Sequence, residues 1–337
     1  MAPNKRGGPL KSSPAEGGMI SKEEVEARGT GTKEDQDTYD SNQFLFSEVR
    51  VCFTGLMFLT RLPCPYWTDH HPAFLMRSAM WFPALGALVG CWAGVWYSAL
   101  ATLWSPGVAA ALSTLASVWL TGCFHEDGLS DCFDGFGGGW GRVQILRIMK
   151  DSRVGTYALV GILLCTYAKL TLLSEMEPAD VPRALVAAHT IGRWTSLPLL
   201  HFCHYLQDDE DAKRGMYNWF AQSQRLFSKP RLLLGTLAAA GIGTAAVGPA
   251  WTAALMGLCT GLCVVAGAYG YAVIGGVVGD FLGATIMVAE LAVYMALSAR
   301  WDSLAGASAW PPLLACAAVS AVPVLYARRI VDFNASC

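Results

Sequence analysis

The stretch AMWFPALGALVGCWAGVWYSALATLW, residues 79–104, runs for 26 residues without a charged side chain. A helix needs only about 20 apolar residues to cross a hydrocarbon core of about 30 Å. Backbone polar groups survive there only in a helix or a closed barrel, so this run decides the fold class. Comparable runs recur to the end of the chain, which is 337 residues long, 53% hydrophobic and 15% charged, with 12 Trp. That composition belongs to a polytopic membrane protein, not to a soluble domain. The predicted spans are roughly 79–104, 106–122, 154–174, 182–203, 231–248, 252–274, 281–299 and 311–327; the second is short, and the fourth carries His189, Arg193 and His201. The expected fold class is therefore an all-α polytopic membrane protein of about eight transmembrane helices.

Upstream, FLFSEVRVCFTGLMFLTRL (residues 44–62) is apolar but interrupted by Glu48, Arg50 and Arg61. It reads as an N-terminal amphipathic helix at the membrane interface or packed against the bundle. Residues 1–42, rich in Gly, Pro, Ser, Lys and Glu, read as a disordered polar tail. They lack the apolar core of a secretory signal and are too acidic for a typical transit peptide. Residues 43–330 form a single transmembrane domain. A net charge of −2 with basic residues spread over loops gives no nucleic-acid surface. The eleven Cys show neither CxxC nor zinc spacing, and read as small buried hydrophobes.

Loop charge sets the orientation. With eight spans, the segments 43–78, 125–153 and 204–230 and the pair Arg328-Arg329 fall on one face with most of the Lys and Arg, while the acidic EMEPAD loop (residues 175–180) falls on the other. The positive-inside rule makes the first face cytoplasmic, as in an inner (plasma) membrane. Asp280 returns to this same face.

On it lies HEDGLSDCFDG, residues 125–135, with four acids in eleven positions. Asp127, Asp131 and Asp134 are spaced i, i+4, i+7, which in a helix puts three carboxylates on one stripe. Like charges that close destabilise a helix unless a cation sits among them. Oxygen-only ligands suit Mg²⁺, or Mn²⁺, better than zinc. Gly128 and Gly135 would let backbone or a phosphate approach closely. The glycines 135–139 read as a flexible loop before a short amphipathic helix, RVQILRIM, that delivers Lys150, Asp151 and Arg153. Cations beside a carboxylate-bound metal are what a phosphate or diphosphate needs. His125 by itself reads as a structural hydrogen bonder. Arg193, four residues from His189 inside an apolar span, reads either as functional or as one half of an interhelical pair.

TGCFHEDGLSDCFDGFGGG followed by RIMKDSRVGTYALVG closely resembles the signature of the cobalamin synthase family, adenosylcobinamide-GDP ribazoletransferase. RLPCP, WFPALGALVG and GGVVGDFLGA fit more weakly, so the resemblance spans about 60–300. Cys123 stands where the family often has a second Gly, Ser130 where Ala is usual, Ala158 where Gly is frequent and Val278 where Thr is frequent; all four departures leave the acids intact. The resemblance implies a Mg²⁺-dependent membrane enzyme for the last assembly step of cobalamin, in which a hydroxyl of α-ribazole or its 5′-phosphate displaces GMP from adenosylcobinamide-GDP. It implies Asp127, Asp131 and Asp134 as metal ligands and Asp151 as a further ligand or base. His125, Gly135, Lys150, Arg153 and Arg193 would then bind substrate. Membrane lipid surrounds such a chain, and the sequence leaves a homo-oligomer open. CDP-alcohol phosphotransferases, with similarly spaced acids, are the nearest enzymatic rival. A cation or metabolite transporter would instead need acids near mid-span.

Overall fold

A computed structural model describes residues 44–68, 72–206 and 224–301. The tail 1–42, most of the loop 205–230 and the span 311–327 lie outside these residues. Twelve α-helices occur among them: α1 Phe44–Leu59, α2 Pro72–Ser78, α3 Phe82–Leu100, α4 Pro106–Thr121, α5 Phe124–Gly138, α6 Arg142–Met149, α7 Thr156–Glu175, α8 Val181–Trp194, α9 Ser196–Phe202, α10 Lys229–Val247, α11 Pro249–Val273 and α12 Gly279–Ser298. Among the described residues β pairing is limited to one parallel bridge, Tyr205 with Val277.

Five stretches are long and apolar enough to cross a membrane: Phe74–Leu100, α7, α10, α11 and α12. A sixth exists if α4 and α5 count as one span, but these two are bent by 91°. The eight-span expectation departs from the structure in two places. The predicted span 106–122 is one arm of that bend. The predicted span 182–203 divides at Thr195 into α8 and α9, because Pro198 has no N–H to give the Trp194 carbonyl. α8 is the hub of the bundle, buried along most of its length and packed most extensively against α3, then against α12 and α10. The outward sides of α7, α10 and α11 carry Leu163, Leu164, Leu237, Val264 and Val265, apolar side chains suited to lipid.

The elbow between α4 and α5 follows from two consecutive left-handed residues, Gly122 (φ 67°) and Cys123 (φ 60°). Gly122 N–H donates to Trp119 O (3.3 Å) and Cys123 N–H to Val118 O (3.1 Å), the Schellman pattern that closes a helix. Cys123 thus occupies a conformation that suits the Gly frequent in the family.

α1 is fastened to the bundle. Its Glu48 pairs with Arg231 of α10, whose Nη1 also donates to Arg77 O (3.2 Å). That settles the alternative left by its amphipathic pattern in favour of packing. Between α1 and α2 the chain runs along the elbow, with Arg61 N–H donating to Leu120 O at 2.8 Å.

Candidate active site

The acidic stretch is helical, as its spacing predicts, but α5 continues through the glycines to Gly138, so the loop expected over 135–139 shrinks to a short link before α6. The amphipathic helix RVQILRIM forms as expected. Both punctuating glycines are packing devices. A Cβ on Gly128 would lie 2.8 Å from the Asp280 carbonyl oxygen, and one on Gly135 would lie 2.6 Å from Met149 Cγ. Gly128 therefore lets α5 press against the start of α12, and Gly135 lets α6 fold back on α5.

That close approach assembles the acids. Asp280, in the first turn of α12, is an electrostatic neighbour of both Asp127 and Asp131. Lys150, the C-cap of α6, is a cationic neighbour of Asp280. Asp134 points elsewhere, and its Oδ2 accepts from Gly155 N–H (2.6 Å) while its Oδ1 accepts from Ala158 N–H (2.9 Å). It caps α7 from a neighbouring helix, satisfying N–H groups that have no intrahelical partner. Of the three acids read as metal ligands, Asp134 is engaged in capping α7, while Asp131 has Asp280, Asp127 and Asp134 all as electrostatic neighbours.

Asp151 and Arg153 face solvent and bind each other. Arg153 Nε donates to Asp151 Oδ1 at 2.9 Å and Nη2 to Oδ2 at 2.5 Å. The guanidinium holds the Asp151 carboxyl down at about 2, so it is a weak proton acceptor near neutral pH.

Arg193 lies far from solvent, at 1% exposure. Its Nη1 donates to Glu290 Oε1 (3.0 Å) and contacts His189 Nδ1 (3.0 Å). Glu290 Oε2 accepts from Lys169 Nζ (3.1 Å), and Glu290 Oε1 lies 2.7 Å from His189 Nδ1. The expected phosphate cation is therefore the interhelical tie, joining α7, α8 and α12 in the bundle interior. Sequence reading singled out Arg193 and His189 but missed their partner. The available signal was Glu290 and Lys169 inside otherwise apolar spans, where ionisable groups demand partners.

The acids border a cavity of about 580 Å³. His125, Asp127, Gly279 and Asp280 form one part of its lining, and Met57, Phe58, Leu75, Met76, Phe82 and Leu282 form an apolar part. His125 is buried, and among the described residues its Nε2 has no hydrogen-bond partner.

The donor set is that of a hard divalent ion, all carboxylate oxygen. Among the described residues no three His, Cys, Asp or Glu side chains converge closely enough to form a closed metal cage.

Residues 51–298 match the family described as cobalamin-5-phosphate synthase. The chain belongs to that family. A protein of Shewanella woodyi named adenosylcobinamide-GDP ribazoletransferase is 34% identical over 262 residues, which is 75% of this chain and 97% of that protein. A namesake from Shewanella piezotolerans is 34% identical over 262 residues, 74% of this chain and 95% of its own. No solved structure matches. Family membership makes the protein an integral membrane transferase of cobalamin biosynthesis, and the α5–α12 contact is where the family signature and the late GGVVGD stretch meet.

Proposed function

We propose that the protein transfers the phosphocobinamide part of adenosylcobinamide-GDP to α-ribazole or α-ribazole 5′-phosphate, in the presence of Mg²⁺. The observation that carries this reading is that Asp127 and Asp280, with Asp131 as their electrostatic neighbour, stand at a cavity large enough for a nucleoside. The acceptor's ribose hydroxyl forms a new P–O bond to the phosphorus on the cobinamide side. The P–O bond to the departing nucleotide breaks, GMP leaves with the electron pair, and the hydroxyl proton is released. Phosphoryl transfer of this kind depends on positioning and on charge stabilisation more than on covalent chemistry.

Asp127, Asp131 and Asp280 would serve the Mg²⁺ together, one or two of them as direct ligands and the rest through its bound water. When bound, that ion neutralises charge on the diphosphate as the leaving oxygen develops. Lys150, beside Asp280, binds a phosphate oxygen. Arg153 approaches the diphosphate from the rim, and Asp151 orients it. Asp134 fastens the N-terminus of α7 and so fixes the segment that bears these cations. The basic residues Arg142, Arg147, Lys150 and Arg153 on this side favour a cytoplasm-facing site in an inner (plasma) membrane.

The test is GMP release from adenosylcobinamide-GDP and α-ribazole by detergent-purified protein, with Mg²⁺ or EDTA, for wild type and Asp131→Asn. Release should require the metal and fall by roughly 100-fold or more in the variant, in line with loss of one preorganised electrostatic group. Equal release in EDTA, or unchanged release by folded Asp131→Asn, would overturn the assignment.

A further inference from the structure

The cavity beside the acids is built from both ends of the chain's family region: α1 and α2 supply Met57, Phe58, Leu75 and Met76, and α12 supplies Leu282 and Ile286. Its volume of about 580 Å³ falls within the ~300–1,000 Å³ that encloses a drug-sized molecule, and is too small for a corrin ring carrying a nucleotide. The charged or titratable groups of its lining are His125, Asp127, Asp280 and Tyr205; Thr54 and Ser196 add hydroxyls, and the rest of the lining is hydrocarbon and aromatic.

This distribution discriminates among the reactants. Guanine carries donors and acceptors around its edge, and an apolar wall would leave them without partners at a cost of about 1–3 kcal/mol each. The base of α-ribazole is a fused aromatic bicycle edged by methyl and C–H groups, with one free ring nitrogen. Such a molecule needs apolar area plus very few hydrogen bonds. The buried Nε2 of His125, which lacks a partner among the described residues, supplies one at the polar end.

We propose that this cavity is the acceptor subsite: the dimethylbenzimidazole of α-ribazole lies against Met57, Phe58, Leu75, Met76 and Phe82, and its ribose lies towards Asp127 and Asp280. The assignment rests on the transfer reaction proposed above and adds which substrate occupies which space. It also gives α1 and α2 a role in substrate selection. The corrinoid and the guanine nucleotide then approach the acids from outside the cavity, where Lys150 and Arg153 lie.

Met76→Trp tests this by filling the cavity away from the acids. With full-length protein in detergent, initial rates are measured against each substrate, and α-ribazole binding is measured separately by equilibrium dialysis. KM and Kd for α-ribazole should rise at least about 10-fold, with KM for adenosylcobinamide-GDP unchanged. An unchanged α-ribazole Kd, or a rise confined to adenosylcobinamide-GDP, would overturn the assignment. A photoreactive azidobenzimidazole riboside gives a second readout on wild type that does not depend on the variant folding. Its crosslinks should map to residues 54–82, 124–127, 196–205 and 279–286, and crosslinks confined elsewhere would refute the subsite. Retention of a phospholipid that α-ribazole fails to displace, seen by native mass spectrometry, would refute it too. Failure of the two readings is distinguishable. Wild type that binds α-ribazole here but releases no GMP defeats the reaction alone, whereas GMP release with an unmoved acceptor KM in folded Met76→Trp defeats the subsite alone.

Discussion

Replacing Glu290 by Gln keeps shape and most hydrogen bonding while removing one negative charge from the bundle interior. Glu290 is 2% exposed and faces Lys169 Nζ at 3.1 Å, Arg193 Nη1 at 3.0 Å and His189 Nδ1 at 2.7 Å. One carboxylate therefore serves two buried cations, whose side chains are 7% and 1% exposed. Removing one partner of a buried ion pair typically costs about 3–5 kcal/mol, because the remaining charge stays desolvated. With two cations stranded, the upper half of that range is expected, roughly a thousandfold in the folding equilibrium. SDS-titrated unfolding in mixed micelles, followed by tryptophan emission, reads this directly. The triple change Lys169→Met, Arg193→Met and Glu290→Met should recover most of the loss, since well-packed apolar residues often match or exceed a buried ion pair in stability. A loss below about 1 kcal/mol for Glu290→Gln would refute the role of the carboxylate as the electrostatic centre of α7, α8 and α12. Restored stability with abolished GMP release in the triple variant would instead show that these ions serve the reaction directly.

Three further outcomes follow from single side chains. Cys123→Gly should stabilise the protein by about 1 kcal/mol, because it relieves a Cβ in the left-handed region; the check is a rise in unfolding midpoint with unchanged GMP release. Asp134→Ala should cost about 1–2 kcal/mol through the two N–H groups it leaves uncapped on α7, whereas an effect on turnover with no loss of stability would return Asp134 to the metal. Asp151→Asn should keep GMP release within about fivefold of wild type at saturating substrate, since its pair with Arg153 is exposed; a collapse of kcat would make Asp151 a catalytic group.

Much of this protein is legible in local sequence. Apolar runs specify membrane helices because lipid offers no partner for backbone polar groups, and the 79–104 run needs no tertiary information to be read. The i, i+4, i+7 spacing of Asp127, Asp131 and Asp134 and the helix RVQILRIM are equally local. Tertiary packing decided what those groups do. A one-dimensional spacing places three carboxylates on one stripe, yet each carboxylate answers to whatever neighbour arrives: the α7 N-terminus took Asp134, and α12 brought Asp280 to Asp127 and Asp131 through the gap left by Gly128. Arg193 could be recognised as costly inside a span, but its partner lies 97 residues away in sequence, a pairing that only the packing of α8 against α12 creates. The cavity is likewise beyond local reading, since its walls come from helices far apart in the chain, α1, α2, α5, α9 and α12 among them, and its shape depends on how their side chains meet. Periodicity and burial are properties of a segment; ion pairing, capping and enclosed space are properties of distances between segments.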